Sequence, residues 1–382
     1  MHFGKTWMVV AAAALVVLTV EAARSCGPLR VEQSRDRESG MEHYLPLRQA
    51  VLGYVIEQHR ESDRCRVRAV LPLAPQVICT GGRDECERAL VEVLETQYGD
   101  GHPNLPFQTL GAKQFWTDLF WYNGWRIQQH CGTGHCRLLD PDDLRRAWGT
   151  REACRVVFER LRHEQKVARP QRHLVVLLHG LGRAKSSLTK LGDVLTDAGY
   201  GVASVSYAST RDGLDGHVER LEQLLNDLDD VEQVSFVTHS LGGVVARGVL
   251  NRPSAWRDRI ELGKLVMLAP PNRTVRLAEL AQEIRAAGVI MGDCVHELAE
   301  GAAEKLAVPP LPFGIIAGAK GDGRGWNPLI EGDDDGVVGV EETRLLGAAD
   351  FLALPVLHSF IMNAPAVHRA TLSFLATSSF SP

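Results

Sequence analysis

The pattern of apolar and polar positions changes about halfway along the chain. From residue 169 onward, short apolar runs alternate with amphipathic stretches, and the run Leu174–Leu178 is apolar throughout. Such a run is typical of a strand buried on both faces of a parallel sheet. The predicted strands cover 174–178, 202–207, 234–237, 264–268, 313–317 and 351–357, and the predicted helices cover 187–198, 217–228, 277–287 and 366–375, with a further helix starting at 241. This alternation predicts an α/β fold with a mostly parallel central sheet flanked by helices.

The preceding stretch, 24–168, shows no comparable order. Its pattern predicts an amphipathic helix over 47–59, a strand over 66–73 and a helix over 84–98. The segment 115–127 is rich in aromatic residues, which indicates core packing. A helix is also predicted to open at Asp140, because the acidic residues there suit the positive end of a helix dipole. No chemistry is evident in this region, which could serve as a cap, a docking module or a brace.

The first residues have the pattern of an export signal. Lys5 precedes the apolar run Trp7–Val20, and small residues follow at Ala22 and Ala23. The run has the length of a signal-peptide core and is short for a spanning helix. We therefore predict a signal peptide over 1–23, a cysteine-containing region over 24–168 and the α/β domain over 169–382. The alternative is a membrane anchor that is retained.

Composition narrows the class of protein. The 382 residues are 45% hydrophobic and 23% charged, with a net charge of −5 and no basic block, so nucleic-acid binding is not expected. All eight cysteines lie beyond the predicted signal, and an even number in an exported chain favours disulfides. Local candidates pair Cys79 with Cys86 and Cys131 with Cys136, but the connectivity stays open. A metal site around His135 is disfavoured, because no second ligand pair stands at zinc spacing.

One motif points to nucleophilic catalysis. The segment Thr238-His239-Ser240-Leu241-Gly242-Gly243 directly follows the apolar run 234–237. A serine on a tight turn from strand to helix is typical of a nucleophile elbow, where glycines relieve steric crowding. Thr238 stands where the usual motif has glycine, and the alternative interpretation is a helix N-cap serine.

A serine nucleophile needs a base and a carboxylate that orients the base. His358 follows the last predicted strand, and Asp333, Asp334 and Asp335 follow the strand before it. The order serine, aspartate, histidine is the order of this architecture. The three adjacent aspartates leave the choice of acid open at this point. His368 is the alternative base, although it lies within a predicted helix.

The turn His179-Gly180-Leu181-Gly182 ends the first strong strand. Its position predicts an oxyanion hole formed by the backbone N–H groups of Leu181 and Leu241. His179 and His239 are interpreted as structural. Cys294 is interpreted as a buried or disulfide-bonded residue and not as a nucleophile.

Together, these motifs make residues 169–382 resemble an α/β-hydrolase of the lipase/esterase type. The resemblance covers a little over half of the chain. In similar bacterial lipases the aspartate of a DGxV turn is the acid, which implies Asp335 followed by Gly336, Val337 and Val338. The calcium site of those lipases is not carried over, because Ser359 and Phe360 follow the histidine. The insertion 269–312, whose helix carries Leu277, Leu280, Ala281 and Ile284, is a candidate lid.

The resulting hypothesis is an exported serine hydrolase with the triad Ser240, Asp335 and His358. Its substrate would be a carboxylic ester, either a small molecule or a lipid, and peripheral membrane contact is a further candidate. No cofactor and no metal are expected. An amidase, a thioesterase or an acyltransferase would use the same residues, and a non-catalytic binding protein on a hydrolase scaffold is the alternative from another class. The oligomeric state stays open.

Overall fold

A computed structural model describes residues 44–46, 54–59, 62, 64–69, 77–82, 85, 86, 89, 114–278 and 293–381. The chain divides into two compact units, Met1–Asp100 and Gly101–Pro382. The predicted signal peptide and Cys26 lie outside the described residues, so export stays a prediction. Within the described ranges, no helix has the length and apolar character needed to cross a membrane.

The first unit contains a four-stranded antiparallel sheet whose spatial order follows the chain. Its strands are β1 (Tyr44–Pro46), β2 (Tyr54–His59), β3 (Cys65–Ala69) and β4 (Val77–Gly81). The helix predicted over 47–59 is wrong for 54–59, because this segment pairs as a strand with both β1 and β3; residues 47–53 lie outside the described part. The strand predicted over 66–73 is confirmed to residue 69, and 70–73 are not described. Of the helix predicted over 84–98, the structure describes only residues 85, 86 and 89, all helical.

The seven described cysteines are all free thiols. In the first unit the sulfur atoms of Cys79 and Cys86 lie 4.0 Å apart, so one of the two predicted local pairs is adjacent without being bonded. Burial raises the pKa of Cys86 to about 11. Neither predicted local disulfide is formed among the seven described cysteines.

The second unit begins with another antiparallel sheet, called here the accessory sheet. It consists of β5 (Trp116–Tyr122), β6 (Trp125–His130), β7 (Cys136–Leu139) and β8 (Arg145–Gly149), again in chain order. Helix α1 (Arg151–Glu164) follows, and its Thr150 side chain accepts the amide hydrogen of Ala153 as an N-cap. The predicted aromatic core is confirmed, because Phe120, Tyr122 and Trp125 pack against Phe158 of α1.

The helix predicted to open at Asp140 is wrong. Asp140 starts the turn between β7 and β8, and its Oδ1 accepts the amide hydrogens of Asp142 at 3.0 Å and Leu144 at 2.9 Å. Asp143 takes φ +62°, which a helix does not allow. The aspartate that suits a helix N-terminus is equally suited to close a turn through its side chain.

A six-stranded parallel sheet forms the centre of the second unit, in the order β10-β9-β11-β12-β13-β14. Its strands are β9 (His173–Leu178), β10 (Gly201–Val205), β11 (Gln233–His239), β12 (Glu261–Leu268), β13 (Phe313–Gly318) and β14 (Asp350–Leu354). The helices are α2 (Thr189–Asp197), α3 (Leu214–Asn226), α4 (Leu241–Leu250), α5 (Asp293–Ala299), α6 (Ala302–Lys305), α7 (Val340–Thr343) and α8 (Pro365–Thr377), with short 3₁₀ turns at Lys185–Leu188, Ala255–Asp258 and Ile361–Asn363. The predicted α/β-hydrolase fold is thereby confirmed.

The central sheet is apolar on both faces. Along β9, Leu174, Val176 and Leu178 belong to one core cluster, and Val175 and Leu177 belong to the other. All five side chains are buried, which explains why the sequence of β9 does not alternate. Five consecutive positions of β9 therefore carry no polar side chain, and the candidate residues Ser240, Asp335 and His358 stand in the loops that follow strands.

The accessory sheet and the central sheet are joined within the second unit. The Asp118 amide of β5 donates to the Ser206 carbonyl at 2.8 Å, and the Ser206 amide donates back to the Asp118 carboxylate at 2.6 Å. On α1, Arg155 pairs with Asp229 at 2.8 Å. Trp121 of β5 belongs to the larger core cluster of the central sheet. The predicted domain boundary at 168/169 thus falls inside one compact unit.

Candidate active site

Ser240 stands on a sharp turn between β11 and α4. Its backbone has φ +52° and ψ −124°, a conformation that is strained for a residue with a side chain. The turn is held because the Ser240 amide donates to the Leu268 carbonyl and the Gly243 amide donates to the Ser240 carbonyl, both at 2.9 Å. Thr238, which replaces the usual glycine, is buried and donates its hydroxyl to the Val266 carbonyl at 3.4 Å.

Two glycines allow the turn to lie against the end of β9. A Cβ on Gly242 would lie 2.6 Å from the Leu178 carbonyl oxygen, and a Cβ on Gly180 would lie 3.0 Å from the Cβ of Ser240. Real Cβ atoms essentially never approach another atom as closely as the first distance, and nine in ten of their contacts are longer than the second. The N-terminus of α4 and the turn after β9 therefore meet around the serine, which is only partly buried.

His358 and Asp335 form a buried pair. The distance from His358 Nδ1 to Asp335 Oδ2 is 2.7 Å, and the His358 amide also donates to the Asp335 carbonyl at 2.9 Å. Asp335 Oδ1 accepts the amide hydrogens of Val337 at 3.0 Å and Val338 at 2.7 Å. These bonds fix the carboxylate and leave Nε2 of the imidazole free of this pairing.

The two neighbouring aspartates have other partners. Asp333 accepts the amide hydrogens of Lys320 at 2.7 Å and Gly321 at 2.8 Å, so it closes the loop that follows β13. Asp334 accepts the amide hydrogen of Gly336 at 2.6 Å. Only Asp335 of the three meets His358, as the resemblance to lipases implied.

His239 ties the elbow to the histidine loop. Its Nε2 donates to the His358 carbonyl at 3.1 Å, and the two imidazole rings lie 4.7 Å apart. Burial holds the pKa of His239 well below its ordinary value, so the ring is neutral. This contact brings the loop that carries His358 beside the residue preceding Ser240.

The turn after β9 is held by His179 from within. The Nδ1 of His179 bonds to the Gly180 carbonyl at 2.8 Å, and its ring stacks on Tyr207 at 4.3 Å. Burial lowers the pKa of His179 to about 4, so the ring is neutral at physiological pH and Nδ1 is the donor. Leu181, the predicted oxyanion residue, is partly buried beside this bond. Leu241, its predicted partner, begins α4, where the first amides have no acceptor within the helix.

Residues 168–272 match a protein family described as "Putative serine esterase (DUF676)". No curated protein matches the chain. With the elbow, the histidine–aspartate pair and the six-stranded sheet in place, the fold is decided. The C-terminal half of the chain has an α/β-hydrolase fold.

Several solved structures are similar to about half of this chain. The product of gene lin2722 from Listeria innocua is 17% identical, with a TM-score of 0.39, over 54% of this chain and 94% of that one. An esterase from Thermogutta terrifontis is 16% identical, with a TM-score of 0.36, over 54% and 90%. A methylesterase from Arabidopsis is 18% identical, with a TM-score of 0.34, over 53% and 98%. Likeness at this level says nothing about the substrate of this hydrolase.

The alternative residues lie elsewhere in the hydrolase. His368 sits in α8 and bonds through Nε2 to the Met362 carbonyl at 2.9 Å. Cys294 is buried in α5, where its thiol donates to the Asp212 carbonyl at 3.3 Å and burial raises its pKa. Neither residue shares a contact with the histidine–aspartate pair in the described part of the chain.

The candidate lid is described only at its two ends. Residues 276–278 are helical, as predicted for this stretch, and 279–292 lie outside the described residues, including Leu280, Ala281 and Ile284. Leu277 and Leu181 both pack on a small apolar cluster formed by Val275, Ala278 and Val295. The first turn of the insertion and the predicted oxyanion residue therefore belong to one apolar cluster, and a lid stays a prediction.

Sequence reasoning missed the residues that hold the loops together. Arg183 donates through Nη2 to the Ser359 carbonyl at 3.1 Å, which links the turn after β9 to the residue following His358. Gln114 and Ser209 contact the same turn. The position of Arg183 directly after the turn His179-Gly180-Leu181-Gly182 was the only signal in the sequence for its role. Nothing in the sequence indicated Gln114 or Ser209.

Proposed function

We propose that the protein is an exported serine hydrolase that cleaves carboxylic esters through an acyl-enzyme. The observation that carries this proposal is the elbow serine Ser240, held in a strained turn, with the buried His358–Asp335 pair on the loop that contacts the elbow. The family match over 168–272 supports ester hydrolysis in general.

Each residue has a distinct role in the proposed reaction. The Ser240 hydroxyl attacks the ester carbonyl carbon while His358 Nε2 takes its proton, and Asp335 stabilises the imidazolium through Nδ1. The amides of Leu181 and Leu241 donate to the resulting oxyanion. The tetrahedral intermediate expels the alcohol, which takes the proton from His358. Water then attacks the acyl-enzyme by the same route and releases the acid and the free serine.

An apolar rim favours acyl substrates. Val337, Leu357 and Phe360 are 39%, 40% and 60% exposed, although large apolar side chains are usually buried. Each stands within two residues of Asp335 or His358. Exposed apolar side chains beside the acid and the base suit the chain of an acyl ester, including a lipid ester presented at a surface.

The test is a panel of p-nitrophenyl esters of increasing acyl length, combined with labelling by a fluorophosphonate probe. We expect hydrolysis and labelling in the wild type and neither in Ser240→Ala. His358→Ala should also abolish turnover, whereas His368→Ala, which changes the other candidate base, should retain it. A folded wild type that neither hydrolyses esters nor takes the probe would contradict the proposal and favour a binding protein. If matched amides or thioesters were hydrolysed faster than the esters, the proposed substrate class would be wrong and the proposed triad would stand.

Export is supported by the sequence pattern of residues 1–23. Expression of the full chain in a secreting host, followed by N-terminal sequencing of the released protein, tests it. A mature chain that starts close to residue 24 is expected. A chain that stays in the membrane fraction with its first residues intact would indicate an anchor instead.

A further inference from the structure

Hydrogen bonds to Ser209 and Gln114 hold the backbone of the turn that carries Leu181. Residues 180–183 form a tight turn, closed by the Arg183 amide donating to the Gly180 carbonyl at 3.2 Å, with Gly182 at φ +66°. The Gly182 amide donates to the Ser209 hydroxyl at 3.0 Å. The Arg183 carbonyl accepts a hydrogen from the Gln114 side chain amide. The peptide group that follows Leu181 and the one that follows Arg183 are therefore anchored from outside the turn.

The two anchors converge on one side chain. Ser209 is completely buried, and its hydroxyl, having accepted the Gly182 amide hydrogen, donates to Gln114 Oε1 at 3.1 Å. Gln114 thus binds the turn directly through Nε2 and indirectly through Ser209. Donors and acceptors match along the whole chain of bonds, because the amide oxygen accepts from a hydroxyl and the amide nitrogen donates to a carbonyl.

We infer that Gln114 is a positioning residue for the oxyanion hole. It stands two residues before β5, outside the family match over 168–272. The accessory sheet therefore contributes to the geometry of the active site through a residue that the hydrolase half does not contain. This inference rests on the proposed function and adds to it the residue that orients the Leu181 amide.

The consequence is specific to the transition state. An oxyanion donor bonds the tetrahedral intermediate more strongly than the planar ester, so a displaced donor lowers kcat and leaves KM nearly unchanged. Loss of one donor typically lowers kcat by about 10²–10³-fold. Because removal of Gln114 loosens the turn without removing the amide, we expect a loss of about 10- to 100-fold.

The experiment compares Gln114→Ala and Ser209→Ala with Gln129→Ala. Gln129 lies in the same accessory sheet and donates to the Gly134 carbonyl at 3.2 Å within its own hairpin, so its variant is a matched control. For each variant, kcat and KM are measured on a short p-nitrophenyl ester, together with the inhibition constant of an alkyl boronic acid that mimics the tetrahedral intermediate. Hydrogen exchange of the peptide around Gly182 and the thermal midpoint are measured in parallel.

The expected result is a fall in kcat for both test variants, a proportional weakening of the boronic acid, and faster exchange around Gly182, with Gln129→Ala unchanged. If Gln114→Ala does not fold, Gln114→Glu keeps the acceptor for Ser209 and loses the donor to Arg183, and a smaller fall in kcat is expected. Wild-type kcat in folded Gln114→Ala, or a rise in KM alone, would overturn the inference and leave the proposed function standing. An inactive wild type would overturn the proposed function and the inference with it.

Discussion

The central and accessory sheets differ in where their polar side chains lie. In the central sheet β9 and β13 are almost wholly apolar, and Ser240, Asp335 and His358 all follow the carboxyl ends of strands. In the accessory sheet polar side chains lie inside: Asp118 and Gln128 are buried and bonded to each other at 2.7 Å. The comparison teaches where function and cohesion reside. Polar groups after the strand ends form the proposed active site, whereas the buried polar groups of the accessory sheet join it to the central sheet.

Asp118 shows how the joining works. Its carboxylate accepts the Ser206 amide hydrogen, and burial raises its pKa. A buried carboxylate lowers the stability of the fold unless it is hydrogen-bonded. Asp118 has two such donors, the Gln128 side chain within its own sheet and the Ser206 amide that follows β10 of the central sheet. The bond network therefore favours one docking position of the accessory sheet.

The largest expected effect separates the catalytic aspartate from its neighbour. Asp335→Asn should lower kcat by about 10⁴-fold, because an amide supports the wrong imidazole tautomer. Asp333→Asn, which alters only the loop closed onto Lys320 and Gly321, should lower kcat far less. Ester hydrolysis at pH 7.5 measures both. Equal effects would show that the 2.7 Å contact does not identify the triad acid.

The next effect tests the accessory sheet. Asp118→Ala should lower the free energy of unfolding by about 3 kcal/mol, because it leaves the Ser206 amide and Gln128 buried without an acceptor. Asp142→Ala, at an exposed position of the turn between β7 and β8, is the control. Urea unfolding gives the free energies. A small change for Asp118→Ala would mean that the Asp118 carboxylate does not hold the two sheets together.

A smaller effect tests how tightly the elbow is packed. Gly242→Ala places a methyl group 2.6 Å from the Leu178 carbonyl oxygen, part of the backbone. We expect a loss of about 2 kcal/mol in stability, with a loss of activity. Gly248→Ala, in the same helix, meets the side chain of Val218 and not the backbone. Thermal unfolding of the two variants would contradict this account if Gly248→Ala were the more damaging.

The effect that is smallest per step of the measurement concerns pH. Burial lowers the pKa of both His179 and His217 from 6.5 to about 4. Between these values the unfolded chain binds protons that the folded chain excludes, so stability falls as the pH falls from 6.5 to about 4. Each group contributes up to about 1.4 kcal/mol per pH unit. His217→Leu should flatten the pH dependence of urea unfolding by that amount, and a slope equal to that of the wild type would refute this.

The central sheet could be predicted from the sequence, and the accessory sheet could not. The central strands were identified because burial on both faces leaves uninterrupted apolar runs, as in β9. The elbow and the order of Asp335 and His358 followed from local motifs. The accessory sheet was not identified, because an aspartate such as Asp140 suits a turn as well as a helix start. The segment 54–59 was predicted as a helix, although its pairing with strands on both sides makes it a strand.

The sequence by itself determined the α/β-hydrolase fold and the candidate nucleophile, since both are encoded in residues that are neighbours along the chain. Only the tertiary structure decided which of three aspartates meets His358, and only it placed Gln114 against the turn that carries Leu181. The physical reason is that such bonds join residues far apart in the chain, 23 positions in the first case and 69 between Gln114 and Arg183. Their partners are chosen by the packing of the sheets and leave no local pattern.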